Sequence, residues 1–450
     1  MPERERAHLP ARWPVGRWLP ALLVLALAGG LALLFASGQM ELYRTLMNGL
    51  GGEALPTPFM DMHAVLSALQ CHRQGVDVYA VNPCDAFGRV HAYSPIWLQA
   101  AFLPVGTGAT VGLGLLLGVL FIAGLTALPP ARRGREVFVM CLACTSSTII
   151  FALERANNDL IVWLLVLLVI ALLRGAGMRR MLGYGVIILA GLLKFYPLVL
   201  LALAIQEKPR RMVVVALVGL AVVSMVVLSD VTSWRRALMV IPTALHSIDM
   251  FGARNFPYGV ADGLAQSGFD ALWIGPALLA VFMLYAASLM VRLNLRLDLA
   301  RQLACLSLHE RLLLLAGGAL IVGCFFTAAS AFYRGIHLLF VLPALFALWR
   351  QAEKDTAFTA AAGVIAIVVI MWTEGARYLL GRLAILAGLD AGEQRRIDLL
   401  VWTVHELLSW WIVSLLGALL LALAWTAPGG LWVRRVVQPY LPAMLRETPR

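Results

Sequence analysis

The sequence predicts an all-α fold: a polytopic transmembrane helical bundle of about twelve membrane segments, with interfacial helices in its first external loop. Three observations predict it. Of 450 residues, 61% are hydrophobic and only 14% are charged, and the mean hydropathy is +0.83. No single soluble core buries so large an apolar share. Runs such as residues 18–38 are long enough to cross a hydrocarbon layer of about 30 Å. Finally, basic residues recur in clusters between the apolar runs, as the positive-inside rule requires of cytoplasmic loops.

The net charge of +11 is read accordingly as topology, with no nucleic acid among the expected partners. The clusters are Arg4/Arg6/Arg12/Arg17, Arg132/Arg133/Arg135, Arg174/Arg179/Arg180, Lys208/Arg210/Arg211, Arg292/Arg296/Arg301/Arg311, Arg350/Lys354 and Arg434/Arg435/Arg446/Arg450. Placing them all inside puts both termini in the cytoplasm. The chain then forms one integral membrane domain over 1–450, with an extracytoplasmic loop at 39–106 and a basic cytoplasmic tail at 427–450.

Span 18–38 comes first; it is too long for a cleaved signal peptide and lacks a small-x-small cleavage site. In the loop that follows, Met62, Val65, Leu66 and Leu69 fall at helical spacing and predict a short surface helix. Residues 96–103 are apolar but too short to span, which predicts a second interfacial or re-entrant helix. Spans at 110–128, 137–153 and 160–173 follow, and the turn before the last of these reads Glu154-Arg155-Ala156-Asn157-Asn158-Asp159.

Arg179/Arg180 and Lys208/Arg210 both belong inside, yet about 25 residues separate them, enough for one full span and not two. A hairpin of two short helices resolves this, its tip carrying Lys194-Phe195-Tyr196-Pro197. Such a tip ends inside the membrane, where irregular backbone survives only beside a polar cavity. A lysine snorkelling from one longer helix is the other reading. Further spans fall at 212–228, 271–291, 312–329, 337–349, 358–372 and 407–425. An external loop carries Trp234, His246, Asp249 and Arg254, and a late turn reads Tyr333-Arg334-Gly335-Ile336-His337.

Cys71 and Cys84 share the first loop, where pairing in an oxidising compartment and two free thiols both stand. Cys141 and Cys144 form a C-x-x-C inside an apolar helix with no second pair, so no metal site is expected there. The loop has no D-x-D, only Asp61-Met62-His63, and no cofactor or metal is expected.

Polar and ionisable residues collect at the external side: Asp61, His63, Asp77, Glu154, Arg155, Asn158, Lys194, Arg254, Tyr333, Arg334 and His337. Ionisable groups at membrane depth are costly and raise a functional hypothesis. Acids beside cations suit group transfer from a lipid phosphate. The attacking hydroxyl loses a proton to a carboxylate, and the departing phosphate needs cations. Plainer readings exist for each. Asp61 follows Pro58 and precedes an apolar-periodic helix, as an N-cap does. His63 and His72 suit solvated helix positions, Arg155 suits a pair with Glu154 or Asp159, and Arg254 suits solvent.

The order of these features resembles the GT-C class of membrane glycosyltransferases, particularly glycosyltransferase family 87, the polyprenyl-phosphate-mannose-dependent mannosyltransferases. The residues carrying the resemblance are Asp61, Gly75-Val76-Asp77-Val78-Tyr79, Tyr93-Ser94-Pro95, Asn157 and Asn158, Lys194-Phe195-Tyr196-Pro197 and His337, from about residue 40 to 350. The chain departs from the family at Val78, where proline is common, and at 154–157, where Gly-Gln-x-Asn is often seen.

The resemblance implies a hexosyltransferase in the plasma (inner) membrane. It would move mannose from a polyprenyl-phosphate donor to a lipid or glycan hydroxyl on the extracytoplasmic face, inverting the anomeric centre. It implies Asp61 as general base and His337 near the donor phosphate or acceptor. The residues themselves add Lys194, Arg334, Arg155 and Arg254 as candidates to hold the donor phosphate with His337, and His63, Asn158 and Tyr333 as candidate substrate contacts. The alternatives are a flippase of lipid-linked saccharide, or a membrane glycan polymerase or ligase.

Overall fold

The computed structural model describes residues 15–55, 57–240, 250–269, 272–327 and 330–437. Among them nine helices are long and apolar enough to cross a membrane, and Asn158–Leu173 and Tyr196–Gln206 are shorter apolar helices. The described residues form an all-α membrane protein but for one small strand pair. His246, Asp249 and the tail beyond residue 437 lie outside the described residues.

Helix α1 (Val15–Ala36) turns through Gly38 into short α2 (Met40–Gly49), and α3 (Met60–Arg73) opens the long loop. After a 3-10 helix at Pro95–Phe102 come α4 (Thr110–Leu125), α5 (Gly134–Cys144), α6 (Ser147–Glu154), α7 (Asn158–Leu173) and α8 (Gly177–Lys194). A 3-10 helix, Tyr196–Gln206, runs back to α9 (Pro209–Ser229) and α10 (Val231–Met239). Strand β1 (Met250–Phe251), α11 (Asn255–Gln266), α12 (Ile274–Leu297), α13 (Leu299–Gln302) and α14 (Leu308–Thr327) precede β2 (Ser330–Ala331). A 3-10 turn, Phe332–His337, leads into α15 (Leu338–Gln351), α16 (Lys354–Met371), α17 (Thr373–Leu386), α18 (Ala391–Thr426) and α19 (Pro428–Val437).

Burial sorts these helices into a centre and a rim. The span ending in α15 is 83% buried and α14 is 72% buried, whereas α9 and α12 are each 11% buried. The rim exposes Leu217, Leu220 and Leu284, which costs nothing against lipid chains as apolar as leucine. At the centre, Trp163 of α7 packs between Phe121 of α4 at 4.7 Å and Phe340 of α15 at 5.0 Å.

The hairpin expected before Lys208 is present. Helix α8 carries Arg180 near one end and Lys194 at the other, ~21 Å apart by helical rise. At the Arg180 end, Glu207 receives Arg180, Arg211 and the Tyr184 hydroxyl. Arg350 meets Glu136 at 2.7 Å. Buried carboxylates thus anchor the basic clusters.

The first loop is stapled to α3. Cys71 and Cys84 are disulfide-bonded, and Arg89 bridges the Asp85 carboxylate at 2.8 Å and the Met60 carbonyl at 2.9 Å. The Tyr79 hydroxyl donates to the Tyr93 carbonyl at 3.1 Å, and the His91 ring packs beside both tyrosines.

The short helix expected at 96–103 is present as the 3-10 helix Pro95–Phe102, whose Trp97 Nε1 donates to the Leu193 carbonyl and docks it on the hairpin tip. Two expectations are corrected. The stretch 374–406 is not a loop. Helix α17 fills its first part, and an Asp390–Glu393 capping box starts α18 well before the expected span. Helix α18 has 36 residues, roughly 54 Å of helix, so its first turns project beyond a bilayer core. Strands β1 and β2 pair antiparallel, Met250 with Ala331 and Phe251 with Ser330, where only loop was expected.

Candidate functional site

Four chain segments meet at the end of the bundle away from Arg180: the start of α3, the α6–α7 turn, the α8 hairpin tip and the 3-10 turn Phe332–His337. Backbone bonds set the first against the second, Phe59 N–H donating to the Glu154 carbonyl at 2.8 Å and Asp61 N–H to the Arg155 carbonyl at 3.0 Å. Asp61 does not cap its helix. The N-cap is Phe59, without a side-chain cap bond, which leaves the Asp61 carboxylate for other partners.

Those partners are Arg155 and Asn157. Arg155 donates through Nε at 3.1 Å and through its terminal nitrogen at 2.8 Å, one bond to each Asp61 oxygen. Asn157 Nδ2 donates to Asp61 Oδ2. Burial disfavours the Arg155 charge, but Asp61 beside it more than compensates, and the guanidinium is held more firmly charged than usual. The expected pairing of Arg155 with Glu154 or Asp159 gives way to Asp61. Glu154 is left buried without a side-chain partner on either oxygen.

Asn157 joins this pair to a second one. As N-cap of α7 its Oδ1 accepts from Asp159 N–H at 2.8 Å. The same oxygen accepts from Lys194 Nζ at 3.1 Å. Lys194 in turn lies 2.7 Å from Asp159 Oδ1, which also accepts the Tyr196 hydroxyl at 2.8 Å. Arg334 Nε stands 4.0 Å from Asp159 Oδ2, and Tyr196 meets His337 Nε2 at 2.7 Å. Asp61, Asp159 and His337 are buried, and the Lys194 side chain is only 9% exposed.

Aromatic rings complete the walls. Lys194 Nζ lies 5.2 Å over Tyr333, and the Arg334 guanidinium 4.6 Å over Tyr196. Tyr333 stacks on Phe151 at 6.1 Å, and Phe151 lies beneath Arg155 at 5.3 Å. Backbone strain concentrates here. Of the four non-glycine residues with positive φ among those described, Phe59, Ala156 and Phe195 flank this cluster. Each costs of order 1–3 kcal/mol, as residues at functional sites do.

No protein family, no curated protein and no solved structure matched this chain when each was searched.

The candidates divide into two groups. Asp61, Arg155, Lys194, Tyr333, Arg334 and His337 are brought together. Asn158 is adjacent and buried, with neither side-chain amide atom hydrogen-bonded. His63 is turned toward α4 and the loop, its Nε2 accepting from Ala86 N–H at 3.3 Å and its Nδ1 3.5 Å from Thr110 Oγ1. Arg254 is exposed at the N-cap of α11. Three members escaped the sequence reading: Asn157 as bridge, Asp159 as second carboxylate and Tyr196 as hydroxyl link. Asp159 and Asn157 sat in an evident polar turn, and a carboxylate entering an apolar helix was the available signal.

Proposed function

We propose that the chain is a polytopic glycosyltransferase, with a GT-C-like arrangement of twelve membrane segments, moving a hexose from a polyprenyl-phosphate donor to a hydroxyl acceptor. The observation that carries this reading is a buried carboxylate, Asp61, tethered through Asn157 to a compact set of cations. Nine long apolar helices, the α7 span and the two arms of the Lys194 hairpin make up the twelve segments. The Cys71–Cys84 disulfide supports an extracytoplasmic face for the cluster. The basic clusters anchored at the other end support a cytoplasmic position for both termini.

In the reaction the acceptor oxygen attacks the anomeric carbon of the donor sugar. The bond from that carbon to the phosphate oxygen breaks, polyprenyl phosphate departs, and the configuration inverts. Asp61 takes the acceptor proton. Lys194 and Arg334 offset the charge that develops on the phosphate, and Tyr196 with His337 holds Asp159 and Lys194 in place. Arg155 has two roles in this scheme. It holds Asp61 until donor binds, and donor phosphate then draws the guanidinium away, which frees Asp61 as a base. The departing group is already a stable anion, so cations suffice and no general acid is required.

Purified protein in lipid nanodiscs, supplied with polyprenyl-phosphate mannose and glucose, should transfer labelled hexose to a saccharide acceptor. Movement of intact lipid-linked saccharide across the bilayer without transfer would contradict this reading and favour a flippase.

A further inference from the structure

We infer that the cavity between α2 and α17 is the subsite for the acceptor's saccharide ring. This rests on the glycosyl-transfer reading and names the substrate part that the Asp61 cluster leaves unassigned. The cavity measures about 280 Å³ and is lined by Phe151, Phe332 and Tyr378. Its polar wall is Asn48, Glu53, Glu374 and Arg377. It falls just below the ~300 Å³ at which ligand pockets usually begin, the scale of a small polar group rather than a lipid chain.

The lining suits a sugar. A pyranose has C–H faces that pack on aromatic rings and a rim of hydroxyls that need acceptors and donors. Charge argues against phosphate here. Glu53 and Glu374 outnumber the lone lining cation, and Arg377 is already committed to Glu374, at 3.0 Å through Nε and 2.5 Å through its terminal nitrogen. A neutral polyol is accepted where an anion is repelled.

The floor is built rather than accidental. Gly51 has φ +75°, and a Cβ there would fall 2.4 Å from Gly375 N and 2.6 Å from Ser147 Oγ. Gly375 N–H donates to Ser147 Oγ at 3.0 Å. The ends of α2, α6 and α17 are thus locked edge to edge under the cavity. Phe151 connects this space to the chemistry, since the ring that lines it also stacks on Tyr333 and lies beneath Arg155. Between a ring seated here and Asp61 stand Phe151 and the Arg155 that it underlies.

The test is saturation-transfer NMR on the full chain in nanodiscs, with methyl α-mannoside and inorganic phosphate as separate probes. Mannoside should bind wild type, Asp61→Asn and Tyr378→Phe alike, and Tyr378→Ala or Glu374→Gln should weaken it about tenfold, the scale of one lost contact. Phosphate should not compete with it. Absence of mannoside binding to wild type, equal binding to both weakened variants, or displacement by phosphate would each overturn the assignment. If mannoside fails to bind while hexose transfer proceeds, this inference falls and the transferase reading stands. If mannoside binds as described while no donor yields transfer, the reverse holds.

Discussion

Arg155 and Asp61, 94 positions apart in the chain, meet in a two-point ion pair with one guanidinium nitrogen on each carboxylate oxygen. The pair is possible because the backbone does the same, Asp61 N–H donating to the Arg155 carbonyl. The turn after α6 is thereby registered against the first turn of α3. Removing Arg155 strands a buried carboxylate beside Glu154. Arg155→Met should therefore destabilise the protein by about 3–5 kcal/mol, read as a lowered Tm in detergent. Arg155→Lys keeps the charge but not the fork, and should recover only part of that loss.

Asp159 and Lys194 make the second buried pair. Lys194→Met leaves Asp159 only the Tyr196 hydroxyl and the more distant Arg334, and should cost up to about 3–5 kcal/mol. The double variant Lys194→Met/Asp159→Leu removes both charges and should regain most of that stability while transfer stays abolished. A double-mutant cycle on Tm and on activity separates the two effects. Recovery of activity with stability would show that Lys194 serves only the fold.

Position 114 tests positioning without touching any reacting group. A Cβ on Gly114 would fall 2.4 Å from Cγ of Phe59, whose ring therefore occupies the space that glycine leaves. Phe59 is the N-cap of α3 and ties it to Glu154. Gly114→Leu should shift the start of α3 and lower kcat about tenfold or more, as an ångström-scale misplacement does. Donor KM should change little.

The first loop should weaken in mild acid. Burial pushes the His91 imidazole down from 6.5 to about 4, with His72 adding repulsion against the backbone bond to Ser94, which works the other way. The folded loop thus disfavours the proton that the unfolded loop accepts near pH 6.5. Its stability is full above that pH and falls as pH drops from about 6.5 towards 4. Asp85, which burial would raise, is held below the usual carboxylate range by Arg89 and backbone N–H groups, so its contribution is lost at still lower pH. Hydrogen exchange over residues 78–95 should accelerate through the His91 window, and His91→Gln should flatten that dependence.

Much of this was legible in the sequence, and the reasons differ by element. The hairpin tip followed from charge arithmetic, because Arg180 and Lys208 both belong inside and a helix has a fixed rise. The apolar spans followed from the bilayer's thickness. The partners of Asp61 were not legible. A contact 94 positions apart leaves no local periodicity, and Glu154 and Asp159 were equally plausible mates for Arg155. Ala156 and Phe195 gave no warning of their positive φ, since left-handed backbone is signalled by glycine or asparagine. The α17–α18 hairpin carries charges through both arms, which in sequence resemble a loop, and the Asp390–Glu393 capping box is what starts its second helix.

The central claim is that Asp61 takes the acceptor proton. Transfer from polyprenyl-phosphate mannose should be compared between wild type and Asp61→Asn, both checked for an intact fold by Tm and for donor binding. The account predicts that Asp61→Asn binds donor and loses at least about 100-fold in kcat, the usual contribution of a positioned base. A folded Asp61→Asn protein that transfers at the wild-type rate would contradict it.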